Sequence, residues 1–487
     1  MSSFSFRDFR KYIGVGLLLV GVVAWSVWMY ELKVSVLEKG YLTSDLAMYM
    51  NMLSNTDIPG GRLLITEMTR VRTGHPSFLA EHFAPTFILV APIYQLFPVP
   101  QLLLGLQVVS QALAGILIYL IARARGLSLP AVLFCVAAYL GSENIIRATH
   151  DHIYGFHTDS MISPLLLGVI LSWHYRKMIL FVLCLVLVCG LKASVPFTVF
   201  AFFALSIFFT LNGFIAREDA GWIQFIGRRL REDPFIWVGC AIPVLFAIMA
   251  IFIAPRIFEA SSPHSTGALK NLATQVASGA VFVGFPGYLI SLPGHIPAFF
   301  LGLFSPAGLA TLPELLLHYL YDLSFVDWHG FLALPLLSVG TVMVLGRIQR
   351  WMQDGRRGVG RVYRVLLIVL ALLLVGYARL YTREGVHLLN NTPPQIDIPE
   401  MRSLVPTIPE NAHVSGTSDT ILFFANRPNL ATPATPDLEY LILNLAIHRP
   451  QETDKELLGD YEAGRLGEYR LVQRTESNIH VLKRERE

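Results

Sequence analysis

The stretch RIQRWMQDGRRGVGRVYRVLLIVLALLLVGYA (residues 347–378) decides how this chain is built. Arg347, Arg350, Arg356, Arg357, Arg361 and Arg364 face a single acid, Asp354, and an uncharged run from Val365 to Ala378 follows at once. A basic loop abutting an apolar run marks a membrane span whose Arg-rich end lies in the cytoplasm. The rest of the composition extends that reading. Of 487 residues, 54% are hydrophobic and only 15% charged, with a mean hydropathy of +0.53. Soluble domains average about 25% charged residues, so lipid must be the solvent for most of this chain. Further uncharged stretches run from Ile13 to Tyr30 and from Phe83 to Ala122, whereas the sequence beyond Arg383 reads like an ordinary soluble protein. The expected organisation is a transmembrane domain over 1–383 and a small soluble α/β domain over 384–487.

A formal net charge of +3, scattered along the chain, gives no footprint for nucleic acid. The four cysteines, Cys135, Cys184, Cys189 and Cys240, sit inside apolar runs without zinc or disulfide spacing and read as buried packing residues. Arg7, Arg10 and Lys11 precede an apolar run that lacks a small-x-small cleavage site, which predicts a retained first span with a cytoplasmic N-terminus.

The loop 217–233, with Arg228, Arg229 and Arg231, and the turns at Arg123/Arg125 and Arg176/Lys177 are also basic and go to the cytoplasmic side. Working outward from these anchors, the spans fall near 101–122, 127–146, 160–175, 178–194, 196–213, 235–255, a pair within 280–320, 329–346 and 365–381. The fold class is a mainly α polytopic bundle of about 11 to 13 spans. The opposite ends define one outer face, holding the loops 31–100, 147–159, 192–196, 256–280 and 321–328 and the C-terminal domain. Phe83 to Phe97 is shorter than a full span and reads as a helix embedded in the outer leaflet or re-entrant there, with a plain short span under weak charge control as the alternative.

Charged and imidazole side chains beside so much apolar sequence need a reason. Asp45, just after the first span, is either a helix N-cap or an acid available for chemistry. His82 opens the embedded segment and is either interfacial or part of a site. Arg147 to Asp159 gathers Arg147, His150, His157 and Asp159 with Asp151 and His152 in one outer loop. His and carboxylate are the usual groups for acid–base work and for divalent metals, although no fixed metal spacing is present. Lys192, near the outer end of a span, either snorkels to the interface or marks a pathway. Asp327 and His329, at the start of another span, carry the same two readings. All of these come from separate parts of the chain, yet the charge-derived topology brings them to one face. A polar cavity flanked by apolar spans suits a substrate with a phosphate head and a lipid tail, with Lys192 or Arg147 meeting the phosphate.

The order of motifs then resembles a prokaryotic membrane family, domain of unknown function 2079. They run Ser44-Asp45-Leu46 with Tyr49, Glu81-His82-Phe83-Ala84-Pro85, Pro92-Ile93-Tyr94, Phe156-His157-Thr158-Asp159, Leu191-Lys192, and in the tail Phe424-Ala425-Asn426-Arg427. That family is similar to the GT-C superfamily of polyprenyl-phosphate-sugar-dependent glycosyltransferases. Here a single Asp45 stands where an Asp-x-Asp pair is common, and Ala193-Ser194 follows Lys192 in place of acids. The resemblance implies that Asp45 is the catalytic base, that His82, His157, Asp159 and Lys192 line the donor or acceptor site, and that an inverting displacement releases lipid phosphate. It leaves room for a divalent metal. Membrane lipids and a polyprenyl-phosphate-linked sugar are the implied partners, at the cell inner membrane. Two other readings stand beside it: a transporter or flippase, with polar groups reaching both faces, and a non-catalytic scaffold of the same fold.

The tail predicts strands at 412–416, 440–445, 469–473 and 480–483 and helices near 420–426 and 455–465. It has no phosphate loop and no nucleophile motif, which points to acceptor binding, docking or support.

Overall fold

The computed structural model describes residues 6–41, 44–150, 155–210, 213–214, 222–258, 274, 285–289, 300–320, 328–354, 359–391, 394, 396–431, 438–447 and 452–485. Helices dominate, and one four-stranded sheet lies near the C-terminus. Among the described residues, Gly14–Glu38, Pro100–Ala124 and Pro234–Ile257 are long and apolar enough to cross a membrane. At about 1.5 Å per residue, each exceeds a hydrocarbon layer of roughly 30 Å.

Between them pack the shorter apolar helices Leu129–Leu140, Ile162–His174, Met178–Cys189 and Val195–Leu205. These correct several expected spans. The run 127–146 breaks at Gly141, and Glu143–His150 forms a separate helix. The run 178–194 stops at Cys189, where Gly190 closes the last turn onto Val186 O, and the run 196–213 stops at Leu205. The pair expected within 280–320 is described only over 285–289 and 300–320, where Phe300–Leu303, Pro306–Leu309 and Leu312–Leu320 are all short. Helix Ala333–Gln353 approaches this region backbone to backbone: a Cβ on Gly340 would meet Gly302 O at 2.6 Å. Cys135 and Cys189 are buried, whereas Cys184 and Cys240 are half-buried rather than buried; all four are free.

The basic turns collect at one end of the bundle. Arg176 Nη1 meets Asp233 Oδ1 at 2.5 Å, tying the 174–178 turn to the start of Pro234–Ile257. Gln349 Nε2 donates to Gly126 O at 2.9 Å, tying helix Ala333–Gln353 to the Arg123/Arg125 turn. From this end the helices run to the opposite one, where the first loop, the 155–161 turn, Lys192 and the C-terminal sheet lie.

The C-terminal sheet contains β1 (Val414–Gly416), β2 (Tyr440–Asn444), β3 (Tyr469–Arg474) and β4 (Ile479–Arg484), in the order β1-β2-β4-β3. β1 and β2 are parallel; the other pairings are antiparallel. The helical pattern near 420–426 is realised as a single 3₁₀ turn, Ile421–Phe424, and that near 455–465 as Glu452–Glu462. The chain enters this region through Val359–Asn391, an unbroken helix that runs past Arg383, so the change in composition precedes the end of the helix. The sheet region does not stand apart from the first loop. Leu46, Met50, Leu53 and Tyr94 share one apolar cluster with Ile421, Phe424, Leu430 and Ile442. Asn51 Nδ2 donates to Ala425 O at 3.0 Å and to Arg427 O at 2.6 Å, and Asn426 joins Tyr94 Oη at 2.8 Å to Pro98 O at 2.9 Å.

Candidate functional site

Asp45 lies in the first turn of helix Ser44–Ser54, where an acid complements the positive end of the helix dipole. The helix begins at Ser44, so Asp45 is not its N-cap. Its carboxylate is about one-third exposed and faces another part of the chain: His157 Nε2 lies 3.4 Å from Asp45 Oδ2.

His157 is aimed by its own turn. Lys33 of the first long helix, wholly buried, donates from Nζ to Gly155 O at 2.5 Å. Gly155 has φ +71°, a left-handed conformation that costs other residues about 1 to 2 kcal/mol, and it lets the chain reverse. Phe156 then stacks on Phe87 at 5.8 Å, and His157 follows. Ser160 returns both its N–H (3.1 Å) and its hydroxyl (2.8 Å) to His157 O, while Ser160 O accepts from Gln111 Nε2 at 2.7 Å. Tyr139 Oη donates to Gln111 Oε1 at 2.6 Å, which anchors the turn to two bundle helices.

Two residues beyond His157, buried Asp159 accepts from Lys192 Nζ at 2.5 Å. Lys192 occupies the short loop before helix Val195–Leu205. The embedded segment packs against the other side of that loop, since Thr86 N donates to Gly190 O at 2.9 Å and Thr86 Oγ1 to Leu187 O at 2.8 Å. The segment folds as a 3₁₀ turn, Pro85–Val90, and a short helix, Ala91–Leu96; Phe87, Ala91 and Tyr94 are buried while Leu89, Ile93 and Leu96 are exposed. His82, at its start, is half-buried beside Glu81 (3.7 Å) and packs its ring on Phe78 at 4.9 Å.

Tyr49 holds these parts together. Its ring meets Phe78, Phe87, Phe156 and His157 with centroids 5.3–5.9 Å apart. Burial, and then the neighbouring Asp45 and Asp159 carboxylates, push the Tyr49 phenol well above its ordinary range against a hydrogen bond with Thr158, so it stays a neutral O–H.

The structure therefore pairs Asp45 with His157 and Asp159 with Lys192 beside the Tyr49 cluster, and His82 reaches that cluster through Phe78. Arg147 lies on Glu143–His150 and pairs with Glu143 at 3.0 Å, one turn back on the same helix. The side chains of His150 and His329, and all of Asp327, lie outside the described residues, as do Asp151 and His152. Among the described residues, no three His, Cys, Asp or Glu side chains form a group able to hold a metal ion. The sequence reading passed over Lys33, Gln111 and Tyr139, and also a buried pair on Leu312–Leu320: His318 Nε2 lies 3.3 Å from Glu314 Oε1, and Glu314 is within electrostatic reach of Lys192. An acid and a histidine four residues apart in an apolar helix were a usable signal.

The chain matches, over residues 40–453, the family described as a predicted membrane protein, domain of unknown function 2079, and it belongs to that family. No curated protein matches it in sequence. Among solved structures it is similar to ArnT from Cupriavidus metallidurans bound to undecaprenyl phosphate, with a TM-score of 0.55, 14% identity, and coverage of 95% of this chain and 97% of that one. An Archaeoglobus fulgidus oligosaccharyltransferase tethered to an acceptor peptide matches at a TM-score of 0.43 and 11% identity, covering 96% of this chain and 74% of that one. The chain thus shares its fold with ArnT.

Proposed function

We propose that this protein is an integral membrane glycosyltransferase that moves a sugar from a polyprenyl-phosphate donor to an acceptor at the outer face of the cytoplasmic membrane. The observation that carries the reading is the facing of two pairs, Asp45 with His157 and Asp159 with Lys192, at the end of the bundle opposite its basic turns. Asp45 takes the proton from an acceptor hydroxyl as its oxygen attacks the anomeric carbon; the bond from that carbon to the phosphate oxygen breaks, and lipid phosphate leaves with the electron pair. Lys192 supplies positive charge for the phosphate, and Asp159 holds the ammonium in place. His157 orients Asp45, and His82 lines the same site. The ArnT structure supports the donor class, because it holds undecaprenyl phosphate in a fold that this chain shares over nearly its whole length.

Binding of undecaprenyl phosphate to the purified protein in nanodiscs tests this reading. Lys192→Ala is expected to weaken binding at least tenfold while leaving the protein monodisperse. Equal binding by Lys192→Ala and the unsubstituted protein would remove Lys192 from the site.

A further inference from the structure

The end of the bundle opposite the candidate site carries a surface that the proposed chemistry does not use. Helix Trp222–Glu232, WIQFIGRRLRE, separates Phe225, Ile226 and Leu230 on one face from Gln224, Arg228, Arg231 and the single acid Glu232 on the other, which leaves that face with a net positive charge. The apolar face is seated: Phe225 is buried and stacks on Phe208 at 6.2 Å. Arg229 is turned inward, its Nε donating to Ile207 O at 3.4 Å. Arg231 is exposed and Arg228 half-buried, three residues apart and so on one side of the helix.

The level of this helix in the bundle is marked by its neighbours. Asp233, which follows it, caps Phe235 N at 3.3 Å and is held by Arg176 and by Trp173 Nε1 at 3.2 Å. Tyr175, Trp237 and Trp351 are exposed at the same end. Amphipathic aromatic rings beside arginines are the composition of a membrane–water interface. Arg125 lies close to Arg350 there, and burial and then that like charge lower the Arg125 guanidinium to about 10. Gathering cations in this way raises the local positive potential, which a negatively charged headgroup layer offsets.

We propose that helix Trp222–Glu232 lies in the headgroup layer and that Arg228 and Arg231 bind the phosphodiester of an anionic phospholipid. Charge complementarity selects this occupant. A zwitterionic lipid brings its own cation to the same place and gains little, whereas an anionic lipid leaves its phosphate charge for the two arginines.

The test uses the full chain in a neutral detergent, titrated with phosphatidylglycerol or with phosphatidylcholine and read by native mass spectrometry. Phosphatidylglycerol is expected to bind preferentially. Its apparent affinity is expected to fall about fivefold in Arg231→Gln and about twentyfold in Arg228→Gln/Arg231→Gln, with phosphatidylcholine binding unchanged. Arg402→Gln, on the C-terminal region, leaves both affinities as they were. If the double variant does not fold, the exposed Arg231→Gln decides alone. Equal binding of the two lipids, or affinity for phosphatidylglycerol unaffected by Arg231→Gln, overturns the proposal. Full displacement of phosphatidylglycerol by inorganic phosphate at matched concentration also overturns it, because the surface then recognises a free anion and not a lipid.

Discussion

Asp419 offers a prediction whose size follows from its surroundings. It follows β1, is 1% exposed, and accepts a hydrogen bond from Asn444 Nδ2 at 2.6 Å through one carboxylate oxygen. Burial, with a contribution from nearby Asp454, raises its carboxyl from 3.8 to about 7, against the opposing hydrogen bonds from Asn444 and Thr417. The folded state therefore holds this proton more tightly than the unfolded chain does. Its contribution to stability is fully present below pH 4 and is lost as pH rises to about 7. At about 1.4 kcal/mol per tenfold, the loss amounts to about 4 kcal/mol by pH 8, of which roughly two-thirds has gone by pH 6. Asp419→Asn keeps the shape and removes the titration. Hydrogen exchange of the 414–424 segment, followed by mass spectrometry from pH 5 to pH 8 and corrected for intrinsic exchange, reads the opening free energy there. In the unsubstituted protein that energy should fall with pH; in Asp419→Asn it should stay nearly level. Identical slopes in the two proteins would refute the reasoning, because Asp419 would then not be the titrating group.

Three further outcomes are expected. Gly155→Ala should cost about 1 to 2 kcal/mol at φ +71° and should displace His157, so a cysteine cross-link placed between positions 45 and 157 should form less readily than with Gly155 in place. Lys33→Met removes the hydrogen bond to Gly155 O, and the buried carbonyl left behind should lower thermal stability by about 1 to 3 kcal/mol, measured in detergent. Asn426→Ala cuts the link between Tyr94 and Pro98, and hydrogen exchange should rise in 44–56 and 85–98 together with the sheet, while the bundle helices stay protected.

Much of this organisation was legible because charge is scarce in the chain. Arg176, Arg231 and Arg350 read as one side of a membrane, and the structure gathers their turns at one end. Asp45, His157, Asp159 and Lys192 stood out against uncharged flanks, and they meet at the other end. Lys33 was not legible: its partner is the carbonyl of Gly155, a group that every residue carries, brought near only by a left-handed turn. Gln111 and Tyr139 were hidden for a similar reason, since their bond across two helices depends on which faces pack. Helix lengths also escaped the reading. Apolar runs set where a span fits, but local breaks such as Gly141 and Gly190 set where the hydrogen-bonded helix stops. The strands lie where short apolar runs were expected to form them, whereas the shared core of the first loop and the sheet depends on long-range packing of helix Ser44–Ser54 against the Ile421–Phe424 turn, within one apolar cluster.

The central claim rests on Asp45, and sugar transfer tests it most directly. Purified protein in nanodiscs, supplied with a panel of undecaprenyl-phosphate-linked sugars and candidate acceptors, is assayed for release of undecaprenyl phosphate coupled to a glycosylated product. The account predicts turnover with one donor class and its loss by at least a hundredfold in Asp45→Asn, with membrane insertion and undecaprenyl phosphate binding intact. Undiminished turnover in Asp45→Asn would contradict it.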